Sequence, residues 1–328
     1  MTFPNKRPRR LRKNSKIRSL VASNSLRVEG LVQPIFIREG INEPQKIESM
    51  PGIFAYPLED LCSAVEMCLK KGIGTVALFA TPEKKDSFGS EATNEEGILN
   101  KSVKLVKDKF QEDIVVLADL CLDEFTSHGH CGITRDGSSK IDNDLTLVRY
   151  AETAKCLGRS GADFVAPSGM MDGQVGVVRA ALDEEGLIDC GIFAYSVKFA
   201  SSLYGPFREA VSVDLKGGNR STYQQDFRRS WHESLDEVYE DVAQGADIVM
   251  VKPASTNLDL VARIREKVNV PLACYQVSGE YSMIVAASEK GWIDREGVII
   301  ESVHSIFRAG ADIVVTYFAS EIAEGLNG

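Results

Sequence analysis

The sequence predicts an α/β fold, a (β/α)8 TIM barrel with an extended N-terminal arm. Eight short apolar runs, rich in β-branched residues, alternate for the most part with segments of helical periodicity. Strands that alternate with helices indicate a parallel sheet, and eight such units favour a closed barrel over an open, doubly wound sheet. No Gly-x-Gly-x-x-Gly motif lies between a strand and its helix, which argues against a dinucleotide-binding fold.

Four of the predicted strands share one pattern: a glycine, a short polar turn and an apolar run, at residues 72–79, 161–167, 245–251 and 310–316. The glycine suits the left-handed position that follows a helix C-terminus. The apolar run does not alternate with polar residues, which is typical of a parallel strand buried on both faces. The other predicted strands are Val32–Ile37, Val115–Leu122, Ile192–Lys198 and Leu272–Val277.

Eight segments between these strands have the spacing of amphipathic helices. In the first of them, several apolar residues fall on one stripe of the helix surface. The predicted helices are Leu58–Lys71, Glu96–Phe110, Leu145–Arg159, Val175–Leu182, Ser234–Gln244, Leu258–Val268, Tyr281–Lys290 and Arg295–Arg308.

The composition of the 328-residue chain is that of a globular protein, with 44% apolar residues. No stretch approaches the roughly 20 apolar residues that a membrane-spanning helix needs, so we expect no membrane partner. Seven cysteines, an odd number, do not suggest a secreted disulfide framework. Free thiols fit a reducing compartment, and we predict a cytoplasmic protein.

Charge is distributed unevenly along the chain. The first 28 residues hold nine of the 38 Lys and Arg residues and no Asp or Glu, so the remainder is strongly acidic. An acidic body argues against a nucleic-acid partner for the main domain. The basic head has three interpretations: a nucleic-acid-binding tail, a transit peptide, or an arm that docks on an acidic neighbouring subunit. We favour the arm and assign it residues 1–30, with residues 31–328 as the catalytic barrel.

Two lysines stand at the ends of apolar strands, where an ammonium group is costly. Lys198 ends one predicted strand, and Lys252 ends the run that begins at Asp247. Desolvation favours the neutral amine, which can attack a ketone and form a Schiff base. The alternative is that each side chain extends its charged head into solvent. Active sites of such barrels lie at the C-terminal ends of the strands, which form the mouth of the barrel. Both lysines would therefore face this mouth, with Ser278 and Tyr317 beside them.

The densest polar cluster runs from Asp119 to Cys131 and follows a predicted strand. Strand periodicity places Asp119, Cys121 and Asp123 on one face, and a loop could return Cys131 to them. Two thiolates and a carboxylate can hold a catalytic metal, and the carboxylates can serve acid–base chemistry. The alternative is that the cysteines are small core residues.

Residues 199–208 and 216–224 contain glycines, spaced cations and little apolar periodicity. Such a segment is typical of a lid over a site, with cations that can clamp a carboxylate. An ordinary surface loop with solvated arginines is the alternative.

Five motifs together resemble the porphobilinogen synthase family, also called 5-aminolevulinate dehydratase, from about Leu31 onward. The motifs are Asp-Leu-Cys-Leu-Asp with Ser-His-Gly-His-Cys-Gly, residues 166–173, residues 196–208, Met250–Ala254 and Tyr275–Tyr281. The resemblance implies condensation of two 5-aminolevulinate molecules into porphobilinogen, a precursor of haem and chlorophyll. It also implies a barrel with an N-terminal arm that assembles as a homo-octamer.

The resemblance assigns roles to matching residues. Lys252 would bind the first substrate as a Schiff base, and Lys198 would engage the second. Asp119 and Asp123 are the candidate acid–base groups. The remaining implied substrate-binding residues are Ser278 and Tyr317 for the first carboxylate and Arg208, Arg220 and Gln224 for the second.

The chain departs from the zinc-dependent members at its metal site. Those members bind zinc with three cysteines, whereas this chain has Cys121, Asp123 and Cys131. Because carboxylate prefers harder ions, we expect weak zinc binding and no zinc requirement. Glu237 matches the glutamate that binds an allosteric magnesium ion in magnesium-responsive members, and Mg²⁺ can be held by one carboxylate and water.

Two other hypotheses stay open at the level of sequence. One is a different Schiff-base (class I) aldolase on the same barrel, for which a single lysine would suffice. The other is a non-enzymatic metal- or anion-binding assembly protein that uses the basic arm. The two proposed carboxylate-binding sets argue against the second hypothesis.

Overall fold

The structure is a computed structural model that describes residues 5–135 and 140–327. Residues 1–4 of the predicted arm, and residues 136–139 and 328 of the predicted barrel domain, lie outside the described residues. The predicted barrel is confirmed, because strand β1 (Leu31–Arg38) pairs in parallel with both β4 (Thr75–Thr81) and β10 (Ile313–Thr316) and so closes the sheet. The barrel strands are β1 (Leu31–Arg38), β4 (Thr75–Thr81), β5 (Val115–Leu120), β6 (Phe164–Pro167), β7 (Gly191–Lys198), β8 (Ile248–Lys252), β9 (Leu272–Gln276) and β10 (Ile313–Thr316).

All eight predicted helices are present, with their ends shifted by a few residues. They are α2 (Leu58–Lys70), α3 (Ile98–Phe110), α4 (Asn143–Arg159), α5 (Gln174–Glu184), α7 (Trp231–Ala243), α8 (Leu258–Arg265), α9 (Ser278–Glu289) and α10 (Arg295–Ala309). Elements that we did not predict are α1 (Ser15–Leu20), α6 (Gly205–Ala210), α11 (Ala319–Asn327) and the short strands β2 (Gln45–Lys46) and β3 (Phe54–Tyr56).

Caps explain two of the shifted helix ends. Helix α7 begins three residues early because the Ser230 hydroxyl accepts a hydrogen bond from the backbone N–H of His232. Helix α9 also begins early, since the Glu280 carboxylate accepts from the Val277 N–H at 2.6 Å. Ser278 is therefore the first residue of a helix, where we had predicted the end of the seventh strand.

The barrel strands are buried along most of their length, as the uninterrupted apolar runs predicted. Gly310 ends helix α10 in the left-handed conformation, with φ at 118°, and the strand β10 follows it. All seven cysteines are buried and free. Within the described residues, no helix has the length and apolar character needed to span a membrane.

The N-terminal arm contributes little to the core of its own barrel. Helix α1 has no buried residue, and Leu20 is 83% exposed. The Arg27 guanidinium donates to the Asp312 carbonyl oxygen at 3.5 Å, close to where the barrel begins. A role of the arm in subunit contacts stays a prediction.

We predict that Gly279→Ala destabilises the fold by about 1–3 kcal/mol in free energy of unfolding. An added Cβ would lie 2.5 Å from the carbonyl oxygen of Leu203, and a backbone atom cannot move aside as a flexible side chain can. Gly74→Ala is the matched control, because its Cβ would meet nothing within 4 Å. Chemical denaturation of the two variants would measure the difference, and equal stability would contradict the prediction.

Candidate active site

Lys198 and Lys252 end neighbouring strands and lie directly opposite one another in the β7–β8 register. Both side chains are buried, at 4% and 5% exposure, so neither extends its head into solvent. The Lys198 ammonium donates to the carbonyl oxygen of Ser168. The Lys252 Nζ lies 4.1 Å from the centre of the Tyr275 ring, and three further aromatic rings surround it at 5.0–5.4 Å.

The environment of Lys252 favours its neutral form. Burial and, next, the positive charge of Lys198 together lower its pKa to about 7, against the opposing effect of nearby carboxylates. A lysine with this pKa is a neutral amine for a large part of the time at neutral pH. Lys252 therefore has the electronic state that a Schiff-base nucleophile needs.

Asp119 and Asp123 lie on the same side of the mouth but differ in protonation. Burial and the neighbouring charge of Asp123 raise the pKa of Asp119 to about 7. Burial also disfavours the Asp123 carboxylate, but the Arg220 guanidinium at 2.7 Å holds the pKa of Asp123 below its usual range. Two carboxyl groups with separated pKa values are a common arrangement for acid–base catalysis.

The predicted Cys/Asp/Cys group is assembled by the fold. The ligand atoms of Cys121, Asp123 and Cys131 lie within 4.8 Å of one another, and all three residues are buried. The strand β5 ends at Leu120, two residues earlier than predicted, so Cys121 and Asp123 belong to the following turn. The Tyr150 hydroxyl donates to the Cys131 carbonyl oxygen at 2.8 Å and anchors the returning loop.

The donor chemistry of this group fits a divalent metal ion. Burial opposes the Cys131 thiolate, but the hydrogen bond from Cys121 and the charge of Arg220 lower the Cys131 pKa to about 7. Burial raises the pKa of Cys121. One of the two sulfur atoms is thus prepared to act as a thiolate ligand before any metal arrives.

Arg208, Arg220 and Gln224 line one pocket beside the mouth, as the lid prediction requires. The Gln225 N–H donates to the Lys198 carbonyl oxygen at 3.0 Å, which ties the second lid segment to the end of β7. Neither end of the Gln224 side-chain amide has a hydrogen-bond partner among the described residues. The amide is therefore available to a ligand.

Ser278 and Tyr317 approach Lys252 from the other side. The hydroxyls of Tyr317 and Tyr275 are 3.0 Å apart, and the Tyr275 ring lies against the Lys252 amine. The Ser278 hydroxyl accepts from the Phe207 N–H at 3.0 Å, and the Phe207 ring lies 5.3 Å from the same amine. The structure thus brings together both residues that we predicted for the first carboxylate.

Glu237 lies on α7 and lines a separate pocket, away from the two lysines, together with Asp172, Asp226 and Glu233. Burial and the neighbouring acidic residues, Asp241 first, raise the pKa of Glu237 to about 7. A cation would relieve this repulsion between acidic groups.

Sequence reasoning missed several residues at the mouth. Tyr195 and Phe207 lie beside the Lys252 amine, and Tyr275 joins it to Tyr317. Aromatic residues carry no separate signal in the sequence, whether in a strand, as Tyr195 and Tyr275 are, or in the short helix α6, as Phe207 is. Glu124 lines the same pocket as both lysines and was also missed. Its signal was visible, since it follows Asp123 directly within the polar cluster that runs from Asp119 to Cys131.

The mouth of this closed parallel barrel contains two buried amines and a pair of carboxyl groups. These are the groups that an enzyme needs to act on carbonyl compounds through Schiff bases. Comparison of this chain with known proteins identifies one family within this class of enzymes.

A family model described as delta-aminolevulinic acid dehydratase matches residues 5–325. The protein of that name from Streptomyces coelicolor is 49% identical over 99% of this chain and 98% of its own length. The one from Mycobacterium leprae is 47% identical over 98% of this chain and 97% of its own. The structure is also similar to a crystal structure of delta-aminolevulinic acid dehydratase (porphobilinogen synthase) from Toxoplasma gondii in complex with the reaction product porphobilinogen. The two structures superpose with a TM-score of 0.95 at 42% sequence identity, and the match covers 98% of this chain and 92% of that chain. This chain belongs to the delta-aminolevulinic acid dehydratase family, and the resemblance seen in its sequence is confirmed.

The pKa of Lys252 predicts that its amine becomes reactive as the pH rises through about 7, because the ammonium form cannot attack a carbon centre. Trace labelling with acetic anhydride at a series of pH values, quantified by peptide mass spectrometry, measures this midpoint. The exposed Lys46 serves as an internal reference. A midpoint for Lys252 near 10.5, the ordinary lysine value, would contradict the assignment.

Proposed function

We propose that this chain condenses two molecules of 5-aminolevulinate into porphobilinogen, the reaction of its family. The observation that carries the proposal is the pair of buried lysines, opposite one another at the ends of β7 and β8. Each substrate carries one ketone and one carboxylate, so two substrates need two amines and two sets of carboxylate-binding groups. We assign Lys252, Ser278 and Tyr317 to the first substrate, and Lys198, Arg208 and Arg220 to the second.

The first substrate binds to Lys252, the amine with the lowered pKa. Its ketone forms the Schiff base, and its carboxylate accepts hydrogen bonds from the Ser278 and Tyr317 hydroxyls. The Tyr317 hydroxyl already contacts that of Tyr275, so its direction is set before substrate arrives.

The second substrate binds between Lys198 and the lid. Its carboxylate lies against Arg208 and Arg220, and the Gln224 amide donates to it or to a neighbouring group. Arg220 is bound to Asp123 at 2.7 Å and donates to the Gly129 carbonyl oxygen at 3.0 Å. It is therefore held in place by Asp123 and Gly129, which lie on the loop that follows β5.

The reaction needs an aldol-type carbon–carbon bond and one carbon–nitrogen bond between the two substrates. The amine of Lys252 adds to the ketone and water leaves, which produces an iminium group that withdraws electrons. The hydroxyl group that the aldol addition leaves is lost as a second water. The amine of one substrate then displaces the lysine nitrogen from the Schiff base, which forms the carbon–nitrogen bond and frees the lysine, and loss of a ring proton gives the aromatic pyrrole. With a pKa of about 7, Asp119 can accept and return protons in these steps.

Cys121, Asp123 and Cys131 would hold a divalent ion if one is required. When bound, such an ion supplies Lewis acidity to a carbonyl or hydroxyl oxygen. Because one of the three ligands is a carboxylate, zinc affinity should be lower than in a three-cysteine site.

A magnesium ion at Glu237 would act from outside the mouth. The pocket of Glu237 also contains Gln224 and Gln225, which face the second-substrate side of the active site. The Gln225 side chain accepts from the Ser234 hydroxyl on α7 at 2.8 Å, and its backbone bonds to Lys198. An ion there can order the lid segment and so regulate the site allosterically.

The assembly we propose is a homo-oligomer, with eight copies as the family resemblance implies. The basic arm has few contacts with its own barrel, whereas the body is acidic, so the arm suits the surface of a neighbouring copy.

Replacing either lysine tests the reaction. We expect Lys252→Ala to reduce pyrrole formation from 5-aminolevulinate at least about a thousandfold, and Lys198→Ala to reduce it strongly as well. Lys46→Ala is the control. Full activity in Lys198→Ala would favour a single-lysine aldolase, and wild-type protein that forms no pyrrole with either magnesium or zinc would refute the proposal.

Metal dependence is a separate prediction. After chelation, we expect magnesium to restore activity and Glu237→Gln to lose that response, because the carboxylate ligand is gone. Glu240→Gln, an exposed change on the same helix, is the matched control. Activity assays with each metal added alone would measure this, and recovery with zinc alone would overturn our interpretation of Asp123.

A further inference from the structure

Glu124 is a buried carboxylic acid for which the proposed reaction has no role. It is 2% exposed, and no side chain among the described residues donates a hydrogen bond to its carboxylate oxygens; only as a protonated acid can Glu124 itself donate one, to Asp123. A buried carboxylate without a donor is destabilising, and native proteins rarely keep one unless a proton or a ligand compensates it. The turn that carries it is well tied, since the Thr126 N–H donates to the Leu122 carbonyl at 2.8 Å and the Thr126 hydroxyl donates to the His130 carbonyl at 2.9 Å.

The protein's own cations are engaged elsewhere. Arg220 binds Asp123 and the Gly129 carbonyl, and the Lys198 ammonium donates to the Ser168 carbonyl. Lys252 lies among aromatic rings. None of these groups donates a hydrogen bond to Glu124 in the described parts of the chain.

The ligand atoms of Asp119, Cys121 and Glu124 lie within 4.8 Å of one another, and all three residues are buried. One oxygen of Asp119 is also without a hydrogen-bond partner among the described residues. The carboxyl groups of Asp119 and Glu124 thus both have, close to the Cys121 sulfur, oxygen atoms without a hydrogen-bond donor. Three protein ligands with room for a fourth, from water, is a usual arrangement for a divalent ion.

We propose that Asp119, Cys121 and Glu124 form a second cation-binding set, with Glu124 as a direct ligand. The set takes a divalent first-row ion that prefers oxygen ligands but accepts one sulfur, because it combines one sulfur with two oxygen ligands. It shares Cys121 with the Cys121/Asp123/Cys131 set, so the two sets are alternative positions for one ion. This position does not require Cys131.

Cobalt(II) is a suitable probe for full-length protein, because its absorption reports thiolate ligation and coordination without turnover. We expect Cys131→Ser to keep Co²⁺ binding, with the weaker charge-transfer absorption of a single thiolate. Adding Glu124→Gln to this variant should lower the Co²⁺ affinity by about tenfold or more. Glu112→Gln, an exposed change, should leave it unchanged.

Two results would overturn the second set. One is loss of Co²⁺ binding in Cys131→Ser while circular dichroism shows a native fold, which would confine the ion to the first set. The other is equal Co²⁺ affinity with and without Glu124→Gln, which would mean that Glu124 is compensated by a proton. Because the readout is binding, either failure would leave the proposed reaction intact.

Discussion

Two amines held out of water, on adjacent strands of one closed sheet, are the constraint on which this active site depends. Lys198 and Lys252 lie in register, so their heads must share one small pocket. Burying two ammonium ions together is unfavourable, and the structure resolves this by letting Lys252 approach neutrality while Lys198 keeps a carbonyl partner. The repulsion that destabilises the pair is also what prepares one amine as a nucleophile.

The carboxyl groups of the mouth are also buried and ionisable, and their protonation depends on which of them has a cationic partner. Arg220 compensates Asp123 and keeps it ionised, whereas Asp119 has no such partner and has a pKa near neutrality. One arginine therefore separates the roles of two chemically equal side chains. Since Arg220 lies on the lid side, a single guanidinium group joins the residues that we propose for substrate binding to those that we propose for acid–base chemistry.

The barrel was predictable because its signals are local. A glycine after each of several helices, followed by an unbroken apolar run, is enough to locate strands such as β8 and β10. The lysines were predictable for the same reason, as charged residues at the ends of such runs. The ring of aromatic side chains around Lys252 was not, because Tyr195 and Tyr275 lie on the strands on either side of β8 and meet its amine only once the sheet has formed. The early start of α9 depended on the Glu280 cap, a contact over three residues that we had not weighed.

The central claim is that Lys252 is the amine that first holds substrate. Borohydride reduction of the protein during incubation with 5-aminolevulinate, followed by peptide mass spectrometry, tests it directly. We expect a reduced substrate adduct on Lys252, with any second adduct on Lys198. An adduct found only on surface lysines, or no adduct on Lys252 while pyrrole forms, would contradict it.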